Sequence, residues 1–512
     1  MKISKKIISL MLTSALVLGI TGCSSDSSQP EASATTTTNE KQVLDDVDWS
    51  KLSADEVDAA NEEGTGALYE SGKTAGAIKG LCYYDFAQTQ PELAEIFAER
   101  FGGTIETEVC SSAEYLDKLS IMVAGGQSPD IVRYDWQAIP HGVSKNIYMP
   151  LDEWLDIDSP FWGSVKSAIE AFEYNGRHYY FPSNVKSHFA LNYNRAVLEE
   201  AGIDDPMDLY HAGEWTWDTF ADILAQWANR GEEYVPLTGG SWSAMMFIHT
   251  TGTSLIDISD GTIVNNLKDQ NVQRTMEWIE GLKKQSYIGE GYIDPGEAFL
   301  DGTLLFLSMD PQWTYSSAQE ALTKKGIAND MAVLPFPRDP KADKYYTSVD
   351  TFGFLIPAGA SNVQGAIDWI LSGRLYESDE EILAETKAKY LSTDPVYFAK
   401  CAECKYSFTE NGTDDLTECP ECGKPRKEKF KVTYIEEQWD VLQDMINPEK
   451  FGFVFDFATG FSEDMNSLLI GNENSILDGP MYNGASYTQL RDANYNAIES
   501  YLDPYREKME NQ

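Results

Sequence analysis

Between Ala77 and Tyr134 the chain alternates short apolar runs with amphipathic stretches, and this rhythm is what most narrows its fold. Ala77-Ile78 and Leu81-Cys82-Tyr83-Tyr84 make a strand rich in apolar and aromatic residues. Pro91 to Phe101 reads as a helix, because Leu93, Ile96, Phe97 and Phe101 recur at helical spacing and Gly102-Gly103 stops it. Ile105 to Cys110 alternates as a second strand. Tyr115 to Ala124 is a second helix, ended by Gly125-Gly126, and Pro129 to Tyr134 is a third strand. Strand, helix, strand, helix, strand implies a parallel sheet with right-handed crossovers. Ligands on such sheets sit at the carboxyl ends of the strands. Those ends are Tyr84-Asp85-Phe86 and Tyr134-Asp135-Trp136.

The N-terminus carries a different signal. Lys2, Lys5 and Lys6 precede the apolar stretch Ile7–Ile20, too short to cross a bilayer core of ~30 Å. Thr21-Gly22-Cys23 follows. We read residues 1–22 as a lipoprotein signal peptide, with Cys23 acylated and left as the new N-terminus. Ile20 stands where leucine is usual, and an ordinary signal peptide with a chance cysteine is the alternative. The lipid would hold an exported protein to the outer face of the cell membrane without a spanning helix. Residues 23–46, mostly Ser, Thr, Asp, Glu, Gln and Ala, bury little apolar surface and read as a disordered tether. Residues 47–75 suggest a short polar helix. No later segment reaches 18 consecutive apolar residues.

More than 400 residues remain, enough for two or three domains with sizeable cores. The net charge of −43 argues against nucleic acid, which needs a basic footprint, and against a broad grip on anionic lipid. Twelve Trp, 27 Tyr and 22 Phe suit a folded body and also suit carbohydrate recognition.

From Gly80 to Leu151 the chain resembles the N-terminal lobe of family 1 extracellular solute-binding proteins, the maltose-binding-protein type. The residues that carry this are Asp117-Lys118-Leu119, Ala124-Gly125-Gly126-Gln127-Ser128-Pro129-Asp130-Ile131-Val132 and Met149-Pro150-Leu151. The likeness continues through Tyr174-Asn175-Gly176 to Tyr180-Phe181-Pro182, Leu191-Asn192-Tyr193-Asn194-Arg195 with Ala201-Gly202-Ile203, and Trp215-Thr216-Trp217-Asp218-Thr219-Phe220. Phe299 to Trp313, Leu334-Pro335-Phe336-Pro337 and Gly353-Phe354-Leu355-Ile356-Pro357 complete it. Each motif is weak alone; their order and spacing over residues 76–375 carry the assignment.

The resemblance implies an α/β fold of two lobes joined by a hinge, with the solute between them. It places the N-terminal lobe at 75–187 and 349–390 and the C-terminal lobe at 188–348 and 430–512. Hinge crossings are expected near Val185–Ser187, near Ser348–Asp350 and again after residue 375. It implies capture of a mono- or oligosaccharide and delivery to the transmembrane subunits of an ABC permease. Closure about the hinge is the expected response to ligand.

Sugar recognition needs flat rings against pyranose faces and carboxylates or amides for hydroxyls. By family position Trp313 and Trp242 are the aromatic candidates. Asp85, Phe86, Asp135 and Trp136 are candidates as strand ends, each set against a plain surface role. Lys186 lies at the first crossing, where some relatives carry a carboxylate; it would suit a uronate, or be a solvated lysine. Tyr482, in Gly479-Pro480-Met481-Tyr482-Asn483-Gly484, is a rim candidate. Trp154, Trp162, Trp217 and Trp369 read as core.

Residues 399–428 fall outside the family pattern. Cys401-Ala402-Glu403-Cys404, a fourteen-residue spacer, and Cys419-Pro420-Glu421-Cys422-Gly423 make C-x2-C-x14-C-x2-C. Two such knuckles aim four thiolates at one point, and Cys-Pro-x-Cys-Gly resembles zinc ribbons and rubredoxins. Structural Zn²⁺ is the expected metal, iron the alternative, and two disulfides the reading without metal. Cys82 and Cys110 lie in neighbouring strand candidates, as free thiols or as a disulfide.

An extracellular glycoside hydrolase is a competing class, yet any chain with 82 acidic residues contains carboxylate pairs. There is no H-E-x-x-H, G-x-S-x-G or G-x-x-x-x-G-K-[ST]. Gly72-Lys73-Thr74 fails the last because Ala67 replaces the required glycine. The five histidines show no ligand spacing. No catalytic residue is expected. A surface sensor or adhesin on the same fold is the other alternative.

Overall fold

The computed structural model describes residues 75–510, apart from 395, 398, 399, 409–415 and 473. The signal segment, Cys23, the tether and, but for Ala75, the 47–75 helix lie outside the described residues.

The chain opens with β1 (Gly76–Cys82), α1 (Pro91–Phe101), β2 (Gly103–Val109), α2 (Tyr115–Ala124) and β3 (Ile131–Arg133). Next come β4 (Phe181–Ser187), β5 (Ala190–Asn194), α3 (Trp217–Ala228), β6 (Val235–Gly239), α4 (Ser243–His249) and α5 (Gln270–Lys284). β7 (Leu304–Met309), α6 (Pro311–Lys325), β8 (Met331–Leu334), β9 (Tyr345–Leu355), α7 (Val363–Ser378) and α8 (Glu380–Leu391) follow. The remainder holds β10 (Val396–Tyr397), β11 (Glu428–Lys429), α9 (Glu436–Met445), β12 (Phe451–Val454) and α10 (Tyr487–Glu510). Local chemistry sets many boundaries. Pro91 starts α1 and Gly102 ends it at φ 64°, a left-handed conformation that glycine adopts freely. Thr216 caps α3 by accepting from the Thr219 amide.

Two sheets result. β1 pairs in parallel with β2 and β3, as the alternation predicts. The first sheet then departs from the parallel expectation: β9 joins β3 antiparallel, and β4 joins β9 antiparallel. The second sheet runs β8-β5-β7-β6. β9 explains the mixed pairing, because it serves two regions. Its first residues, Tyr345–Ser348, pair with β12, and Val349–Phe354 pair with β4. β4 closes at Ser187 in the first sheet, and β5 opens at Ala190 in the second. The chain therefore leaves the first sheet over His188-Phe189 and returns along β9.

The core behind the first sheet is a cluster of rings. Trp369 meets Phe97 at 5.2 Å between centroids, and Phe86 meets Phe354 at 5.3 Å. Asp130 ties this sheet to the start of α7: one carboxylate oxygen accepts from the Ser361 and Asn362 amides, and the other from the Lys79 amide. Trp162, Trp217 and Trp369 are buried as expected, and Trp154 is half-buried. No helix among the described residues is long and apolar enough to cross a membrane.

Candidate functional site

A cavity of about 230 Å³ opens beside β9, between the segment that follows β3 and helix α4. Tyr134 and Trp136, following β3, and Phe172 form one wall. Trp242, Met245 and His249, at the start and along α4, form the other. His188 and Ser348 to Thr351 make the floor, and the chain leaving β12 adds Phe455, Asp456 and Phe457. The rings of the first wall pack on one another: Tyr134 stacks on Tyr180 at 4.3 Å, and Phe172 meets Tyr134 at 5.4 Å and Phe457 at 5.2 Å. Trp242 lies 5.5 Å from the His188 ring.

The polar groups of the cleft differ in how far they are committed. Asp456 is a structural acceptor: His249 Nε2 lies 2.9 Å from Oδ2, and the Ile256 and Ala458 amides donate to Oδ1. Asp350 accepts from the Thr351 amide at 2.8 Å and faces Lys186 in the strand register. Burial in the cleft pushes the His188 imidazole below its ordinary range, nearby His249 adding to the effect and Asp350 opposing it. Burial raises the Asp310 carboxyl; Asp350 reinforces this and Lys186 opposes it, so all three charges share one neighbourhood. Burial also raises Asp135, against the Gln137 amide and Arg133.

The sequence candidates separate accordingly. Trp242 and Trp136 line the cavity. Asp135 precedes Trp136, half-buried. Trp313 stands on the first turn of α6, above Asp310, and is 47% exposed. Lys186 is exposed, with its Nζ 5.4 Å from the Phe352 ring centre. Tyr482 is half-buried and donates to the Gly240 carbonyl at 2.8 Å, bracing the turn before Trp242. Asp85 caps a one-turn helix by accepting from the Gln88 amide. Phe86 requires a correction. It is fully buried, because Gly80 leaves a hole that its ring fills; a Cβ there would come within 2.8 Å of it. The strand-end rule points to the end of the sheet where the cavity opens but not to the side chain's direction. His188, His249, Asp350, Asp456 and the Phe455–Phe457 run were missed. They come from separate segments with no shared spacing, although the Phe453, Phe455, Phe457 alternation was visible.

Cys82 and Cys110 are free thiols; Cys110 Sγ sits 3.6 Å from the Cys82 carbonyl oxygen, and burial raises the Cys82 thiol.

Beyond the cleft, Cys401, Cys404, Cys419 and Cys422 converge, all four sulfurs within 4.8 Å of one another. Cys401 and Cys422 sulfurs lie 3.6 Å apart, Cys404 and Cys419 sulfurs 3.5 Å. A tetrahedron with metal–sulfur bonds of ~2.3 Å has edges of about 3.8 Å, so this donor set fits a thiolate-preferring metal. The two knuckles repeat each other. The Lys405 amide donates to Cys401 and the Gly423 amide to Cys419, while Cys401 and Cys419 donate to Tyr406 and Lys424. Lys405 and Gly423 have matching φ of 64° and 65°. The Cys404 amide, and after it the Glu403 amide, hold the Cys401 thiol down to about 6.

Two hinged α/β lobes around an aromatic cleft define a solute-binding protein. The chain belongs to the bacterial extracellular solute-binding proteins, whose family model matches residues 92–384, more than half of its length. Among curated proteins none matches. Solved structures share the fold. The sugar-binding protein MalE from Xanthomonas citri aligns with TM-score 0.57 and 12% identity, covering 85% of this chain and all of its own. UgpB from Mycobacterium tuberculosis, in complex with glycerophosphocholine, aligns at 0.54 and 17% identity, over 84% of this chain and 99% of its own. An ABC substrate-binding protein from Listeria monocytogenes, in complex with cycloalternan, aligns at 0.53 and 12%, over 84% and 99%.

Proposed function

We propose that this protein captures a carbohydrate between its lobes and delivers it to the transmembrane subunits of an ABC permease, anchored to the outer face of the membrane through lipid on Cys23. The observation that carries this is the cleft itself. Trp136, after β3, and Trp242, at the start of α4, face one cavity whose floor includes β9, a strand of the first sheet that pairs with β3, β4 and β12. Flat apolar walls with carboxylates and imidazoles between them suit a sugar's apolar faces and hydroxyls. At about 230 Å³ the cavity falls below the ~300–1,000 Å³ usual for small-molecule sites, so an oligosaccharide needs the lobes further apart. Gln137 with Glu463 at 3.0 Å, and Lys508 with the Ser144 carbonyl at 3.1 Å, are contacts that such opening breaks.

The lobes are 75–187 with 349–390 and 188–348 with 430–512. Trp313 and Lys186 reach the solute from the rim. Structural Zn²⁺ occupies the four cysteines. The protein binds without chemistry, a reading that the full engagement of Asp456 by its neighbours supports.

A thermal-shift panel on the purified full-length protein tests this, because a ligand that binds only the folded state raises the melting point. Neutral mono- and oligosaccharides are expected to shift it, and Trp242→Ala to abolish the shift. A shift with uronates or glycerophosphodiesters alone would make Lys186 a recognition residue and overturn the neutral-sugar assignment. No shift with any of them overturns the reading.

A further inference from the structure

The cysteine module interrupts the chain at a mechanically sensitive place. The helix before it, α8, packs on α7, which covers the first sheet. The helix after it, α9, packs on the second sheet: Gln438 Oε1 accepts from the Val333 amide at 2.6 Å. The module therefore interrupts a connection between an element packed on the first sheet and one packed on the second.

Its root is gripped from both sides. Thr433 and Gln319 exchange two hydrogen bonds, of 2.9 and 3.0 Å, and Tyr434 stacks on Tyr315 at 4.4 Å. Gln319 and Tyr315 belong to α6, whose N-cap Asp310 feels the charge of the cavity residue Asp350. On the other side the Tyr434 amide donates to the Tyr390 carbonyl, and Lys387 of α8 reaches Glu436 at 3.2 Å. At its far end α9 brings Met445 Sδ to 3.9 Å from the Ser187 hydroxyl, where β4 ends. β12 follows and lies against the hinge residues of β9.

The module cannot hold these arms by itself. Among the described residues its core consists of Cys401, Phe408 and Cys419, with Tyr406 and Cys422 packed on them, too little apolar surface to order a segment of this length. In such small units the free energy of metal binding is the free energy of folding.

We infer that the four-cysteine module is a metal-dependent hinge clamp: a thiolate-preferring divalent cation on Cys401, Cys404, Cys419 and Cys422 orders the connection between the lobes and, through Thr433 and Tyr434 on α6, sets the affinity of the cleft. The coupling to affinity rests on the solute-binding reading; the mechanical coupling does not. Occupancy by the metal closes the loop between the two arms, so α6 and the hinge strand lose freedom that solute binding would otherwise have to remove.

Hydrogen–deuterium exchange on the full-length protein tests the clamp with zinc alone as probe, against the same protein reduced and stripped by chelator. Zinc is expected to bind one ion per chain and to slow exchange by about fivefold or more in 310–325 and 345–351 as well as in 400–434, the scale of ordinary coupling energies. Gln319→Ala with Tyr434→Ala should still bind zinc and protect the module while losing the protection of 310–325. Protection confined to 400–434 overturns the clamp, as does recovery of the cysteines as two disulfides that never take zinc. In the sugar panel, chelation should weaken any binding sugar by about fivefold. Distant protection by zinc without any sugar binding would sink the solute assignment and leave the clamp standing.

Discussion

His249 and Asp456 meet at 2.9 Å in the wall of the cleft, with side chains that are 0% and 3% exposed. The pair joins α4 of one lobe to the segment that leaves the hinge after β12. Asp456 also accepts from the Ile256 and Ala458 amides at 3.2 and 2.9 Å. Removing a buried acceptor strands every donor that it served, and each costs ~1–3 kcal/mol. Asp456→Ala is therefore expected to lower unfolding free energy by about 3 kcal/mol or more, read from urea denaturation. Asp456→Asn, which keeps one acceptor oxygen, should lose less. Equal losses from the two variants would show that the carboxylate's bonds are not what holds this wall.

The parts of this arrangement that were legible in the sequence are local ones. Helices at Pro91–Phe101 and Tyr115–Ala124 were readable to the residue, because apolar spacing and the glycine stops lie within the segment itself. The cysteine knuckles were readable for the same reason: a two-residue gap already bends the chain so that both sulfurs face one point. β9 was not readable as a strand shared by β12, β4 and β3, since pairing partners are set by tertiary contacts far along the chain. Phe86 shows the same limit. Its place depended on a missing Cβ at Gly80, six residues away, which no period reveals. The cleft histidines and Asp456 have no common spacing, and only the folded chain brings them into one cavity.

Asp478 offers a pH test of stability. It is 4% exposed, accepts from the Gly471 amide, and burial raises its carboxyl from 3.8 to about 7. The folded state thus holds a proton that the unfolded chain releases near pH ~4. Its contribution is fully present below that value and is lost as pH rises through about 7. Asp478→Asn mimics the protonated form at every pH. The wild type is expected to lose on the order of 2–4 kcal/mol more than the variant between pH 5 and pH 8. Melting temperatures taken at both values check it, and parallel curves for the two proteins would mean that Asp478 is not held protonated.

The paired knuckles make a last comparison possible within one molecule. Gly423 at φ 65° and Lys405 at φ 64° occupy equivalent places, each directly after the second cysteine of its knuckle. A left-handed residue with a Cβ costs ~1–2 kcal/mol, so the first knuckle carries a strain that the second avoids. A Cβ on Gly423 would meet nothing within 4 Å, so Gly423→Ala imposes that strain without a clash. The closed metal site requires both knuckles in this conformation, and the cost therefore appears in metal affinity. Gly423→Ala is expected to weaken zinc binding by about fivefold to tenfold, and Lys405→Gly to tighten it, at ~1.4 kcal/mol per factor of ten. Competition against a chromophoric chelator measures both. Affinities that stay unchanged in both variants would mean that the zinc site forms without these backbone turns, and the proposed pairing of turn and metal would fall.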